Sequence, residues 1–316
     1  MTDSKAATTP GIPMPAKPMD TPTAGSTGSY RAVPSQHATA VNLGPLRNLP
    51  GFWEGTGFNM IARPDFSGDS PNGFFLELNM LRENIEFTTI GSPVFNRGSA
   101  QDDVSIFGVT YLHRVTDANN GEALHIEPGV WLTIPPTTDP PAGPTIARLA
   151  TIPHGNAVCT VGFTQEVDSD QLPTIPPANT VPFPFGSQPP PPGTRNPYPE
   201  YDLSTPSRFR TPSLPPEITQ AAVDDPNQLL RDALEGHVLP HITRLITSAD
   251  QAQIGNIPFI VRNADAISLE SVFAIETVQG PEGTEYQQLQ YSQTALLNFR
   301  GMSFPHVTVG TLIKAF

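Results

Sequence analysis

The sequence predicts an all-β protein, an antiparallel up-and-down β-barrel with a Pro-rich, partly helical insertion. Three features indicate this fold: short β-rich segments, turn residues between them, and a proline-rich stretch that interrupts the series. The segments carry many β-branched and aromatic residues, which favour strands. They do not alternate with helical patterns, as the strands of a parallel α/β sheet would.

The β-rich segments begin after residue 43 and continue to the end of the chain. Residues 117–121, Asp-Ala-Asn-Asn-Gly, predict a hairpin connection, because Asn-Gly adopts a positive φ at little cost. In chain order, the predicted strands are 51–57, 74–80, 85–90, 104–115, 123–134, 145–152, 157–167, 257–261, 269–278, 286–299 and 304–313.

Two segments fall outside this pattern. Residues 1–42 are rich in Pro, Thr, Ser, Ala and Gly, so we expect a tail that is disordered or lies on the surface. Residues 43–316 then form a single barrel domain in which 168–256 is the insertion, because its prolines cannot join the interior of a sheet. Leucines at helical spacing within the insertion predict a helix over 226–247, kinked at Pro240.

Composition excludes several classes of function. The net charge is −13, and there is no run of Lys or Arg, which argues against binding to nucleic acid or to anionic membranes. One cysteine excludes a disulfide within the chain. No apolar run is as long as the roughly 18 residues of a membrane span, and no signal peptide is evident. We therefore expect a cytoplasmic protein.

The last predicted strand contains one histidine, His306. Side chains alternate along a strand, so His306 shares a face with Phe304, whereas Val307 and Val309 lie on the other face. If His306 points into the barrel, the valine face needs a cover. The predicted helix, or the second subunit of a homodimer, would supply it.

His306 is also the first candidate metal ligand. A neutral imidazole on a rigid strand suits axial ligation of iron, and the alternative is a histidine hydrogen-bonded to the backbone. His125 and Glu127 share a face and form either an acid–base pair or a structural polar network. His154 follows a proline in a predicted turn, with a role at the pocket rim as the alternative, and we expect His113 at the surface.

The order of three motifs resembles the nitrobindin family of heme-binding β-barrels. The family has a G-x-W-x-G-x-G first strand, a Leu-His-x-Glu-x-Gly-(aromatic)-Trp middle strand and a histidine in the closing strand. Residues 46–165 and 257–316 carry the resemblance, and the chain departs from it by its length and at Val130 and Leu132. The matching residues are Gly51, Trp53, Gly55, Gly57, Leu124, His125, Glu127, Gly129, Trp131 and His306.

The resemblance implies heme b, bound through His306, with an open axial site for NO or a small reactive oxidant. It also implies a peroxynitrite-isomerase-like or peroxidase-like activity. The further cofactor-binding residues on this reading are Trp53, Gly55, Gly57, Phe304 and His154. Two alternatives stay open, and both place a small molecule in the barrel interior. One is a cofactor-free carrier of a fatty acid or other apolar molecule. The other is an enzyme of secondary metabolism that uses His125 and Glu127 as catalytic groups.

Overall fold

The structure is a computed structural model that describes residues 36–168, 172–280 and 284–315. Within these residues ten strands form a closed antiparallel barrel, which confirms the predicted fold class. Each strand pairs with the next, and the last pairs with the first. The strands are β1 (Gly51–Pro64), β2 (Phe74–Thr89), β3 (Val104–Asp117), β4 (Ala123–Ile134), β5 (Thr145–Ile152), β6 (Asn156–Val167), β7 (Val238–Ala249), β8 (Asp265–Gln279), β9 (Glu285–Phe299) and β10 (Met302–Lys314).

Short elements surround the barrel. The α-helices are α1 (Gln36–Leu43), α2 (Gln220–Asp224), α3 (Asn227–Leu234) and α4 (Pro258–Asn263). Short 3₁₀ turns lie at Gly44–Leu46, Pro199–Tyr201 and Gln251–Gln253. The remaining short strands are Val94–Asn96, Thr137–Thr138, Pro141–Ala142, Phe183–Pro184 and Ile254–Asn256. None of the helices in the described ranges is both long and apolar enough to cross a membrane.

The two ends of the barrel differ. At one end, here called the helical end, the turn at Gly44–Leu46 brings Leu46 and Leu49 into full burial. The indole of Trp53 donates a hydrogen bond to the Leu49 carbonyl at 2.7 Å, and Lys314 Nζ donates to the Asn48 carbonyl at 2.7 Å. The other end, here called the hairpin end, carries the turns that join β1 to β2, β3 to β4, β5 to β6 and β9 to β10.

An apolar core fills the interior towards the helical end, and along β6, β7 and β8 it continues to Val158, Ala249 and Leu269 near the hairpin end. Its centre is aromatic: Trp131 packs edge-on to Phe273, and Phe273 stacks on Tyr291 with ring centroids 5.1 Å apart. These side chains fill the interior as they do in other small barrels. The fully or nearly fully buried members include Leu46, Leu49, Trp53, Ile85, Val109, Trp131, Leu245, Leu289 and Leu312.

A second apolar cluster lies on the outside of the barrel wall. Val307 and Val309 of β10 are 0 % and 1 % exposed, because Ile218, Val223 and Leu230 of the segment between β6 and β7 join their cluster. Leu230 belongs to α3, so the expectation that a helix covers this face of the last strand is confirmed.

The structure corrects the boundaries of the insertion. The helix predicted over 226–247 ends at Leu234, and Val238–Ala249 is a barrel strand. Pro240 lies where the register with β8 shifts, between Val238 and His241, a place where a missing backbone N–H is tolerated. The insertion therefore ends before residue 238 and not at 256.

Two further segments differ from expectation. Residues 258–263 form α4 where a strand at 257–261 was predicted, because Pro258 at the first helical position pre-sets the helical φ. Residues 36–42 of the predicted tail belong to α1, and residues 1–35 lie outside the described part of the chain.

Candidate ligand-binding site at the hairpin end

A layer of hydrogen-bonded polar side chains crosses the barrel interior between the apolar core and the hairpin end. Its central member is Arg148 of β5, which is 2 % exposed. Arg148 Nη1 donates to Gln293 Oε1 at 2.7 Å, and this contact joins β5 to β9 across the interior. We call this the polar layer, and its members are Glu83, Tyr111, His113, Glu127, Arg148, Tyr291 and Gln293.

Glu127 and Arg148 form the charged pair of the polar layer. Glu127 Oε1 accepts from Arg148 Nη2 and from the Tyr111 hydroxyl, and its other oxygen lies 3.2 Å from His125 Nε2. Burial raises the pKa of Glu127, but the charge of Arg148 and the hydrogen bonds from His125 and Tyr111 outweigh it and hold the pKa well below its usual range. Burial also raises the pKa of Tyr111. Glu127 is therefore a carboxylate that accepts hydrogen bonds, and it has no proton to donate at neutral pH.

Glu83 forms a second buried group in the same layer. Its Oε2 accepts from the Tyr291 hydroxyl at 2.6 Å and lies 2.7 Å from His113 Nε2. The expectation that His113 lies at the surface is wrong, since the residue is only 6 % exposed. His113 shares its strand face with Tyr111 and Val115, and that face is the interior one.

His306 projects towards the hairpin end, beyond the polar layer. Its Nε2 lies 2.7 Å from Asn59 Oδ1, and Asn59 also accepts from the Thr308 hydroxyl at 3.1 Å. Burial lowers the pKa of His306 to about 3, with smaller contributions from the charges of His125 and His154. The imidazole is therefore neutral at physiological pH.

His125 and His154 lie at the same end, on the other side of the barrel. His125 belongs to β4, which is four strands from β10 in the ring of ten. Its side chain is 24 % exposed, and its ring centroid is 6.2 Å from that of the exposed His154. The hairpin end thus has a neutral imidazole on one wall and two solvent-accessible imidazoles on another. Glu127 Oε2 lies within hydrogen-bonding distance of His125, and of the predicted acid–base pair only His125 is reached by solvent.

The other predicted cofactor-binding residues lie elsewhere. Trp53 is opposite Lys314, which is about 26 Å along β10 from His306 at the usual rise of a strand, so the two cannot hold one small ligand. Gly55 also pairs near the helical end, opposite Leu312. Phe304 packs in the outer cluster, stacked on Phe299 at 4.2 Å.

Gly57 has a structural role in the polar layer. It is paired with Gly310, and a Cβ at Gly57 would lie 2.5 Å from Glu83 Oε1 and 2.4 Å from the Val309 carbonyl oxygen. Because neither Gly57 nor Gly310 has a Cβ, the Glu83 carboxylate and the Tyr291 ring can pack against this part of the sheet. The space beside the two glycines is thus filled by side chains of the protein itself, the Glu83 carboxylate and the Tyr291 ring.

Several residues of this site escape the sequence motifs. Asn59 and Arg148 belong to no motif, although alternation places Asn59 on the face of Gly55 and Gly57. Arg148 is the one charged residue in the strand Thr145–Ile152. A lone charge in such an apolar strand indicates a buried arginine that is paired with an acidic residue.

Across the described residues, no group of three or more His, Cys, Asp or Glu side chains is placed to hold a metal ion.

No protein-family model matches the chain, and no curated protein matches it. Among solved structures, the crystal structure of Rv2717c from M. tuberculosis is similar to this chain with 14 % sequence identity, over 86 % of this chain and 98 % of that one, at a TM-score of 0.41.

Proposed function

We propose that the barrel binds heme b at its hairpin end, with His306 as the single protein ligand of the iron. The observation that carries the proposal is the placement of His306: a neutral imidazole on the closing strand, beyond the polar layer and facing the end that solvent reaches. The motifs shared with the nitrobindin family point to the same histidine.

The donor set fits the group. A porphyrin brings four nitrogen ligands of its own, so heme would need one neutral imidazole from the protein, which His306 would supply. Because burial keeps the His306 imidazole neutral well below pH 7, protonation of the ring to the cation does not compete with metal binding. Bound heme would supply an iron centre able to bind a small molecule such as NO.

The chain's own residues account for the remaining properties of the site. The polar layer fixes the depth of the site, because Arg148 joins β5 to β9 across the interior. His125, held by Glu127, and His154 offer polar groups on the wall across from His306.

A hemin titration of the purified, heme-free protein tests the proposal. We expect one equivalent of hemin to give a shifted Soret band in the wild type, and His306→Ala to lose that shift. His241→Ala is the matched control, since His241 lies near the start of β7 at the helical end. A Soret shift that survives in His306→Ala refutes the assignment. Uptake of a fluorescent fatty acid without any hemin binding would favour the carrier instead.

A further inference from the structure

A chain of hydrogen bonds links His306 to a carboxylate at the hairpin end. Asp117 Oδ2 accepts from Asn79 Nδ2 at 2.7 Å, and Asn79 Oδ1 accepts from Asn59 Nδ2 at 3.3 Å. Asn59 Oδ1 lies 2.7 Å from His306 Nε2. Asn79 and Asp117 are only 6 % and 8 % exposed, so water does not readily replace these partners.

The carboxylate sets the direction of every hydrogen bond in the chain. Asp117 is an acceptor only, and its other oxygen already accepts from the backbone N–H of Asn119 at 2.7 Å. Asn79 must therefore turn its amino group to Asp117 and its oxygen to Asn59. Asn59 in turn donates with its amino group and presents its oxygen to His306.

The oxygen of Asn59 can only accept, and it accepts from the Thr308 hydroxyl at 3.1 Å as well; the same hydroxyl lies 3.4 Å from His306 Nε2, farther than Asn59 at 2.7 Å. His306 Nε2 must then carry a hydrogen. A neutral imidazole has one N–H, so its lone pair is on Nδ1. The nitrogen at the tip of the ring, which is the more accessible one for a metal, is thus occupied by a proton and by Asn59.

We propose that Asn59, oriented by Asn79 and Asp117, is a positioning residue that holds His306 in the Nε2–H tautomer and restrains the nitrogen that would otherwise bind iron. The assignment of the tautomer is independent of heme. Only the effect on iron binding rests on the proposed function. If heme is bound as proposed, coordination of iron by His306 Nε2 must break the hydrogen bond to Asn59 and displace the proton from Nε2.

Nitrogen-15 NMR of the heme-free protein tests the tautomer directly, because protonated and unprotonated ring nitrogens have well-separated shifts. The His306 signals are identified by their loss in His306→Ala. We expect a protonated Nε2 in the wild type, and a mixture of tautomers in both Asn59→Ala and Asp117→Asn. Asn84→Ala on the outer side of β2 is the matched control and is expected to leave the His306 signals unchanged.

Hemin affinity gives the second measurement. Loss of one hydrogen bond to the ring is expected to make Asn59→Ala bind hemin about five-fold more tightly than the wild type. A wild-type His306 protonated at Nδ1 overturns the proposal, and so does unchanged or weaker hemin binding by Asn59→Ala. If no variant binds hemin but the tautomer is as expected, the positioning by Asn59 stands and the proposed heme function fails.

Discussion

Replacing Arg148 by methionine tests the role of the polar layer. Arg148 and Glu127 are 2 % and 1 % exposed, so the variant leaves a carboxylate buried with its counter-charge gone. Tyr111 and His125 still donate to Glu127, but neither replaces the full positive charge. Breaking a buried ion pair by removing one partner typically costs about 3–5 kcal/mol, and we expect a loss in this range from the free energy of unfolding.

A second variant separates the charge from the packing. In Arg148→Met with Glu127→Gln no unpaired charge remains, and we expect this double variant to lose under about 2 kcal/mol, less than the single one. The assay is urea unfolding at neutral pH, followed by tryptophan fluorescence. Arg63→Met is the control: Arg63 pairs with Glu77 at the surface, where it is 56 % exposed, and its loss should cost under about 1 kcal/mol. A single variant that is no less stable than the double one would refute the reasoning.

Three other predictions concern stability. Burial raises the pKa of the Glu276 carboxyl from 4.5 to about 7. The folded state therefore loses stability as the pH rises from about 4.5 to 7. Glu276→Gln should raise the free energy of unfolding by about 3 kcal/mol at pH 8 and by almost nothing at pH 4. Equal gains at both pH values would contradict this. Lysines in place of both Val307 and Val309 should cost more than about 4 kcal/mol in thermal or urea unfolding, and unchanged stability would show that the outer cluster contributes little. Gly57→Ala should cost about 1–3 kcal/mol because its Cβ meets Glu83 and a backbone oxygen, whereas Gly255→Ala, whose nearest contacts are 3.8 Å away, should not.

Strand periodicity and turn chemistry were sufficient to predict the barrel. Seven of the ten barrel strands lie within four residues of their predicted bounds, whereas β1 runs seven residues beyond its predicted end and the predicted strands 74–80 and 85–90 are one strand, β2. Gly121 has the positive φ expected of the Asn-Gly hairpin. Alternation also identified Val307 and Val309 as an outward apolar face that needs a cover.

Periodicity failed where a short apolar run fits both helix and strand. Residues 238–249 have apolar positions compatible with either structure, and pairing with β6 and β8 decides for the strand. Local sequence does not contain this information, because the partner strands are far away in the chain.

The candidate site was predictable only at the residues with unusual chemistry. His306, His125 and His154 were identified from the sequence, and the structure brings them to one end of the barrel. Trp53 and Gly55 belong to the same motif as Gly57, yet they lie near the other end, since one strand spans the full height of the barrel. Asn59, Asn79 and Asp117 were missed because hydrogen bonds between strands leave no local pattern.

The central claim, that the hairpin end holds a heme through His306, has one direct test. Crystals of the hemin-treated protein, measured at the iron absorption edge, should show one anomalous peak beside the His306 imidazole. A peak at another histidine, or hemin-treated crystals without an iron peak, would contradict the account.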